Sequence, residues 1–471
     1  MPPLGVPLAD SQFTLNLSGI ASFFGGEETI SAMATVHLYE GRRWLGWYNC
    51  PGSFSFAARF ARMANTRVWN GLFPPRSAPP VLLGLGLAGK TGPNYITALS
   101  GTTMHTGHLA YLTVKRSKEM KEVMIPGRMT NPIDVAYLVM DSVDYNAPIK
   151  RLPLTHALSG LIPVMISVAS CVMCALIYDW YSFSMILLGM ISSGLATFVI
   201  GRGRLVIKKS VRNSAADPPP GILLGEDSVV VIKGDEGGVN AITRARFDLD
   251  INLETKDKFR RSLHQSYSVV GVLCLFLFTT QFILQLLLIP QGTLFGQIMF
   301  VISLSVSWTY NYYLSSFDTE KIQAELLFQT FGSPQIHRFC AGTRGTMAVL
   351  VCLLLFHDVR DSSAQEGQDR RLGILHACLP HINATRGVWK KWMDKVVEQL
   401  MDASGDTGDV SLSRLTVDEE GEDALLSETE RALLFTLLGD ARAAFEWYFD
   451  NWTMYSTTTS TSSTSKLPSM G

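Results

Sequence analysis

Residues 266–317 read SYSVVGVLCLFLFTTQFILQLLLIPQGTLFGQIMFVISLSVSWTYNYYLSSF, and these fifty-two residues contain no Asp, Glu, Lys or Arg. A helix needs about 20 apolar residues to cross the hydrocarbon core of a bilayer. The run therefore has room for two crossings, residues 267–289 and 292–314, with a tight reversal around Pro290. Because two such helices in succession are difficult to cover in a water-soluble fold, the sequence predicts a helical hairpin in a membrane.

A second hairpin is predicted over residues 151–200. Residues 157–177 and 180–200 are each free of charged side chains, and only Tyr178 and Asp179 separate them. Gly189 and Ser193 are four residues apart on the second helix, a spacing of small residues that lets a neighbouring element approach closely.

Basic residues predict the orientation of the four spans. They cluster before the first span, after the second and before the third: Lys150, Arg151, Arg202, Arg204, Lys208, Lys209, Arg212, Lys256, Lys258, Arg260 and Arg261. The two short turns contain none. The positive-inside rule then places both termini and residues 201–265 in the cytosol, with both turns outside.

Between the hairpins, a small cytosolic β-hairpin is predicted within residues 201–265. Residues 228–233 (SVVVIK) are rich in β-branched residues, residues 234–238 (GDEGG) supply a turn, and apolar residues alternate with polar ones from Phe247 to Leu253. Residues 1–150 are predicted to be a Gly/Pro-rich mixed cytosolic region, with short strands at 35–39 and 108–114.

After the spans, residues 318–401 contain an apolar helix at 345–356 and an amphipathic helix at 387–401. The apolar helix is short for a crossing and Arg344 precedes it, so a fifth span remains an alternative. Residues 402–430 form an acidic linker, and a C-terminal helix covers 427–450. Its start carries a capping box, Ser427 followed by Glu430. A disordered Ser/Thr-rich tail is expected over residues 451–471.

One stretch of the sequence matches a nucleotide-binding motif. Gly84, Gly89, Lys90 and Thr91 match the P-loop pattern, and Asp141 ends an apolar run as a Mg²⁺-binding acid would. A P-loop, however, joins a strand to a helix. Only three apolar residues precede Gly84, and a Gly-Pro pair follows Thr91, where that helix would have to begin. The sequence therefore favours an ordinary glycine-rich loop.

Other candidate ligand groups have simpler interpretations. Cys171 and Cys174 lie on one face of a span, where packing explains two thiols better than a metal does. Asp248, Asp250 and Asn252 share one strand face, but no glycine-turned calcium loop accompanies them. No metal, catalytic residue or cofactor is predicted.

Gln281 and Gln285 lie one helical turn apart within the third span. Buried amides in membrane helices usually hydrogen-bond between helices, although they also line solute paths. The four spans contain no internal ionisable side chain, and this argues against proton- or Na⁺-coupled transport.

The stretches DWYSFSMILLGMISSGLATFVI and QFILQLLLIPQGTLFGQIMFVISLSVSWTYNYYLSSFD resemble a group of uncharacterised multi-pass membrane proteins of mushroom-forming fungi. The resemblance implies membrane residence and no particular activity.

The predicted fold is thus an α-helical membrane protein with two transmembrane hairpins, a small cytosolic β unit and C-terminal amphipathic helices. The predicted partners are the lipid bilayer and proteins that meet the cytosolic loop and C-terminal helices. A net charge of −1 gives no basic field for nucleic acid. A non-enzymatic interaction or accessory role is expected first, with a small-solute transporter or channel and a membrane-tethered nucleotide-binding protein as alternatives.

Overall fold

The chain folds into two compact units in the computed structural model. The helical unit comprises residues 1–89, 147–208 and 247–323, and the sheet unit comprises residues 90–146, 209–246 and 324–471. The structure describes residues 8, 25–36, 39, 41–64, 89–140, 154–201, 204–208, 220–250, 260–356, 373–375, 387–402, 412, 414–418 and 426–461.

The described residues are mostly helical. The helices are α1 (Gly26–Ala34), α2 (Ser53–Ala64), α3 (His108–Lys118), α4 (Leu154–Leu176), α5 (Trp180–Ile200), α6 (Glu236–Thr243), α7 (Arg260–Leu288), α8 (Leu294–Ser315), α9 (Thr319–Thr330), α10 (Arg344–Phe356), α11 (Val388–Asp402) and α12 (Glu428–Thr461). The strands are β1 (Asn94–Thr97), β2 (Thr103–His105), β3 (Glu122–Met124), β4 (Ile133–Met140), β5 (Arg204–Lys208), β6 (Gly221–Leu224), β7 (Ser228–Gly234), β8 (Arg246–Asp250) and β9 (Ile336–Ala341).

The four apolar helices predicted from sequence are present as α4, α5, α7 and α8. Residues 155–176, 180–200 and 272–291 have the length and composition needed to cross a membrane. The fourth helix, α8, has 22 residues but a more polar sequence, and it is outside that set. Its polar side chains Gln297, Ser303 and Ser307 are buried within the unit, so α8 turns its polar side inward.

An apolar surface runs along the outside of the helical unit. On α4, Leu158, Ile162 and Met165 are exposed, Met165 by 64%. On α7, Phe276 and Leu287 are exposed to a similar degree. So many large exposed apolar side chains are unusual for a protein that meets water on all sides.

Residues 1–150 do not form the single region that we predicted. Residues 1–89 belong to the helical unit, where α1 packs against α8 and α2 packs against α7. Residues 90–146 belong to the sheet unit. The first part joins the spans because the buried side chains of α2, such as Phe56 and Phe60, stack on Phe278 of α7.

The small β-hairpin that we predicted is not formed: its first strand is β7, which belongs to a seven-stranded sheet in the order β2-β1-β6-β7-β4-β9-β3. β4 pairs with β7 in parallel and with β9 in antiparallel orientation. Strands from three separated chain segments thus share one sheet. This was missed because strand pairing is non-local, and short apolar runs do not reveal their partners.

One face of this sheet is covered by α10. Each of its residues from Gly345 to Phe356 is buried, and they pack with Val135 and Val231 of the sheet and with residues of α11 and α12. The thirteen-residue helix is therefore a core element of the sheet unit, and the alternative of a fifth span is not supported. α3 and α6 pack against β9 and β7.

Two local predictions were wrong, and a third was correct only in part. Residues 108–114 form the start of α3 and not a strand, because Leu109, Leu112 and Thr113 bury one helical face. The segment 234–238 is not a hairpin turn, since Asp235 is the N-cap of α6. Strand β8 was foreseen, but it pairs with β5 in a separate two-stranded sheet.

The C-terminal helices are confirmed as α11 and α12, and the Ser427–Glu430 capping box is present, with Glu430 accepting from the Ser427 backbone N–H at 3.0 Å. Helix α12 continues to Thr461, so the first part of the tail is helical and not disordered as we expected. Most of the linker 402–430 lies outside the described residues, but Leu415 is buried in the sheet unit.

Candidate functional site

The interior of the helical unit holds a segment without regular secondary structure, residues 46–52 (GWYNCPG), between α1 and α2. Asn49 is fully buried. Glycines of α5 make room for this segment, because a Cβ at Gly194 would collide with the Trp47 ring and one at Gly189 with the Asn49 side chain. The close approach predicted for Gly189 thus serves this non-helical segment as well as α7, whose Gln281 Nε2 lies 3.4 Å from the same Cβ position.

Asn49 lies at the mid-length of the surrounding helices. Its backbone N–H donates to Ser167 Oγ of α4 at 3.0 Å, and its side-chain Nδ2 donates to Ser303 Oγ of α8 at 2.7 Å. Ser167, Ser303 and Gly189 each lie near the midpoint of their helix, and Gln281 lies near the middle of the apolar part of α7. Four helices therefore surround one buried asparagine.

Further polar contacts extend from Asn49 towards both ends of the bundle. Tyr48 donates its hydroxyl proton to Asn311 Oδ1 at 2.7 Å, and Asn311 Nδ2 donates to Thr29 Oγ1 at 3.1 Å. On the side of the α7–α8 turn, Ser53 Oγ donates to Gln285 Oε1 at 2.9 Å. We call these residues, with Asn49, Gln281 and their serine partners, the polar column.

Several buried atoms in and beside the polar column have no hydrogen-bond partner among the described residues. They are both amide atoms of Gln281, Nε2 of Gln285, Oδ1 of Asn49 and Oγ of Ser307. All four side chains are buried. A buried polar group without a partner costs about 1–3 kcal/mol, so this region is chemically suited to a small uncharged molecule that both donates and accepts hydrogen bonds.

A buried acid joins the two helix turns. Asp179, between α4 and α5, accepts from Ser182 N–H and Oγ at 3.1 Å each. It also accepts from Thr293 N–H and Oγ1 at 2.8 Å each, just before α8. The two short turns therefore lie at the same end of the helical unit.

The P-loop candidate does not have the required context. Gly84 and Asp141 lie outside the described residues. Gly89, Lys90 and Thr91 are exposed and lead into strand β1, where a P-loop would start a helix. The Lys90 Nζ donates to Tyr111 Oη at 3.0 Å.

Among its described residues, the sheet unit contains one group of potential metal ligands that the sequence did not indicate: Glu122, Asp134 and Cys340, with ligand atoms within 4.8 Å of one another. The guanidinium of Arg338 already lies among these three side chains. It pairs with Asp134 Oδ1 at 2.9 Å and Glu122 Oε2 at 3.2 Å, and it donates to the Lys118 carbonyl at 2.8 Å. The arginine supplies the positive charge here, so the geometry suits an ion-pair network better than a metal.

The other candidates from the sequence remain separate from these groups. Cys171 and Cys174 are buried within the packed side chains of α4, α5 and α8. Nothing is described for the side chains of Asp248 and Asp250, and Asn252 lies outside the described residues.

Comparison with known proteins assigns the chain to no family. No protein-family model matches the chain, and no significant match was found among curated proteins or among solved structures. The polar column is therefore the best-defined candidate site in the described residues. The only sign of it in the sequence was the presence of Gln281 and Gln285 in a span.

Proposed function

We propose that this chain is a multi-pass integral membrane protein in which α4, α5, α7 and α8 cross the bilayer. The apolar outer surface of the helical unit supports this proposal, as do the three helices of suitable length and composition. In lipid, exposed Met165 and Phe276 meet hydrocarbon and cost nothing, whereas in water they would favour aggregation.

The pairing of strands in the sheet supports an even number of membrane crossings. β4, β7 and β9 come from three segments of the chain, yet they are adjacent strands. They can pair only if all three segments lie on the same side of the membrane. An even number of crossings must therefore separate β4 from β7, and likewise β7 from β9. If α7 crosses, α8 crosses as well, although it is the least apolar of the four helices.

Basic residues supply the orientation. Lys150 and Arg151 precede α4 in the chain, and further basic clusters follow α5 and precede α7, so the positive-inside rule assigns these ends of the helices to the cytosol. Asp179 and Thr293 hold the two turns together at the opposite end of the helical unit. Both termini are then cytosolic.

Glycosylation tests this topology. Asn383 and Asn451 lie in acceptor sequences, and in the four-span arrangement neither meets the glycosylation machinery. Expressed in a eukaryotic host, the wild-type protein should show no mass shift with glycosidase. As a positive control, a long acceptor-bearing loop inserted after Gln291 should be modified. A shift in the wild type that Asn383→Gln together with Asn451→Gln removes would overturn the even number of crossings.

For the biochemical role, we propose a non-enzymatic interaction or accessory protein whose sheet unit meets other proteins. The supporting observation is on α12, where Phe435 is 72% exposed and Leu433 is 44% exposed. A photo-crosslinking residue at Phe435 should capture a protein partner in native membranes. The same residue at exposed Glu428 is the control, and equal labelling at both positions would contradict a specific contact.

A second candidate function is the binding or passage of a small uncharged polar solute. The amide atoms of Gln281 at mid-depth and of Gln285 one turn further along α7 that lack partners among the described residues favour it. Purified protein in vesicles should then increase the flux of water, urea or glycerol without dependence on a pH or Na⁺ gradient. Gln281→Leu should abolish the increase, and Ser305→Ala, an exposed position on α8, should not. Flux equal to that of empty vesicles would reject this candidate.

A further inference from the structure

A groove runs along the outside of the first helical hairpin, between α4 and α5. Its volume is about 340 Å³. Most of its wall comes from three residues of α4 and three of α5, which are Val168, Val172, Leu176, Phe183, Leu187 and Met190. The Cys171 thiol, which also faces the groove, donates a weak hydrogen bond to the Phe183 carbonyl oxygen at 3.9 Å. No side chain that lines the groove carries nitrogen or oxygen, so its wall is suited to hydrocarbon.

The groove has the length of one leaflet of a bilayer. Val168 and Leu176 are eight positions apart on α4, which corresponds to about 12 Å along a helix. One leaflet supplies about 15 Å of hydrocarbon. Leu176 and Phe183 are next to the turn between the helices, whereas Val168 and Met190 lie near the midpoints of α4 and α5. In the membrane topology proposed above, on which this inference rests, the groove faces the non-cytosolic leaflet.

Two exposed aromatic side chains lie at the turn end of the groove. Tyr178 and Trp180 are each more than half exposed. The Trp180 ring contacts the ring of Phe183 in the groove wall, with centroids 5.5 Å apart, and the Tyr178 ring lies 6.4 Å from that of Trp180. The φ angle of Tyr178 is 61°, in the left-handed region that favours glycine, so this tyrosine is held there at a cost in backbone free energy. Tyr and Trp are the side chains favoured at the level of lipid headgroups.

The polar groups at this end indicate the chemistry of a ligand. The indole N–H of Trp180 can only donate hydrogen bonds, and the Tyr178 hydroxyl is also a donor. The carboxylate of Asp179, between them in the chain, is buried and already accepts from Ser182 and Thr293. The ester carbonyl and phosphate oxygens of a phospholipid only accept hydrogen bonds, so they complement these two donors.

The space admits one hydrocarbon chain and not a whole lipid. At about 340 Å³ it is at the lower end of the range for small-molecule sites, about 300–1,000 Å³. Val172, Leu176 and Leu187 are exposed, so a chain can enter sideways from the bilayer. We propose that the α4–α5 groove binds one acyl chain of a phospholipid from the non-cytosolic leaflet, with the ester and phosphate groups at Tyr178 and Trp180.

Photo-crosslinking tests both the site and the direction of the chain. The full-length protein is reconstituted in phosphatidylcholine vesicles that contain one of two phosphatidylcholine probes, with a diazirine either near the ester or near the end of the acyl chain. After irradiation, the labelled residues are mapped by mass spectrometry. The first probe should label residues around Leu176 and Phe183. The second should label residues around Val168 and Met190.

The other lipid-facing residues provide the controls. Both probes should label the groove several-fold more than exposed Phe276 and Leu287 of α7. Val172→Trp places a large ring inside the groove at an exposed position, and it should lower groove labelling at least about fourfold, the effect of losing one methylene contact. Met165→Trp adds the same ring to α4 at an exposed position outside the groove, and labelling should stay within about twofold.

Trp180→Phe keeps a ring at the mouth and removes its N–H donor, so labelling by the first probe should fall about twofold or more. The proposal is overturned by equal labelling of the groove and α7, by labelling that Val172→Trp or Trp180→Phe leaves unchanged, or by a reversed pattern of the two probes. It is also overturned if a sterol probe labels the groove more strongly and phospholipid does not compete. Release of the protein from membranes by alkaline carbonate, with no helix labelled, would overturn the membrane topology and this site together.

Discussion

Asp179→Ala should strongly destabilise the helical unit. The carboxylate is 3% exposed and accepts four hydrogen bonds, two from Ser182 at the start of α5 and two from Thr293 before α8. Its contacts with Ser182 cap a helix, and its contacts with Thr293 join the two hairpins. Alanine leaves both backbone N–H groups without acceptors in a buried place.

The magnitude follows from these contacts. Loss of a helix cap costs about 1 kcal/mol, and each hydrogen bond to a charged group contributes about 1.5–3 kcal/mol. Removing the carboxylate also removes the cost of burying its charge. The net loss in unfolding free energy should therefore be about 3 kcal/mol. Asp179→Asn should recover part of it, because the amide oxygen still accepts hydrogen bonds without a full charge.

A thiol-reactive fluorophore can follow unfolding in detergent, because all six described cysteines are buried in the native protein. The matched control is Asp235→Ala at the N-cap of α6, where the exposed side chain makes no cap hydrogen bond. That change should alter stability by less than about 0.5 kcal/mol. A cost below about 1 kcal/mol for Asp179→Ala would refute the role assigned to the acid.

Two other changes test the helical unit and the sheet unit. Gly194→Leu should lower the unfolding free energy by about 1–3 kcal/mol in the same thiol assay, because the new side chain overlaps the Trp47 ring. Burial, reinforced by Glu122 and Asp134, raises the pKa of the Cys340 thiol from its ordinary value of 9.0 to about 11. The protonated thiol therefore contributes stability that is present below pH 9.0 and is lost as pH rises through about 11, and Cys340→Ala should flatten that loss in circular dichroism melts.

These two predictions have separate controls. Gly439→Leu on α12 adds the same side chain where a Cβ meets open space, so it should not destabilise the protein. An equal loss at Gly439 would mean that helix context, and not the Trp47 contact, causes the effect. For the thiol, a pH profile unchanged by Cys340→Ala would assign the alkaline loss to other groups.

Local composition predicted the helices well. Helices α4, α5, α7 and α8 correspond to the charge-free runs at 157–177, 180–200, 267–289 and 292–314. Most of the helix ends lie within three residues of the predicted ends, and α7 begins seven residues earlier than predicted. Such runs are detectable because a long apolar helix is specified by its own residues. The short windows were less reliable, and residues 108–114 were assigned as a strand although their buried side chains follow a helical period.

The candidate site was only partly visible in the sequence. Gln281 and Gln285 are conspicuous because amides are uncommon within apolar spans. Asn49 gave no such signal, since the segment around it is neither apolar nor periodic. Its position depends on Gly189 and Gly194, which lie far away in the chain and allow the segment to enter the bundle.

The sequence by itself determined where the apolar helices lie and which ends carry basic residues, because both properties depend only on nearby residues. The tertiary structure alone decided that β4, β7 and β9 share a sheet. It alone also placed residues 46–52 at the mid-length of the helices. Strand pairing and close packing join residues more than a hundred positions apart, and no local pattern records such contacts.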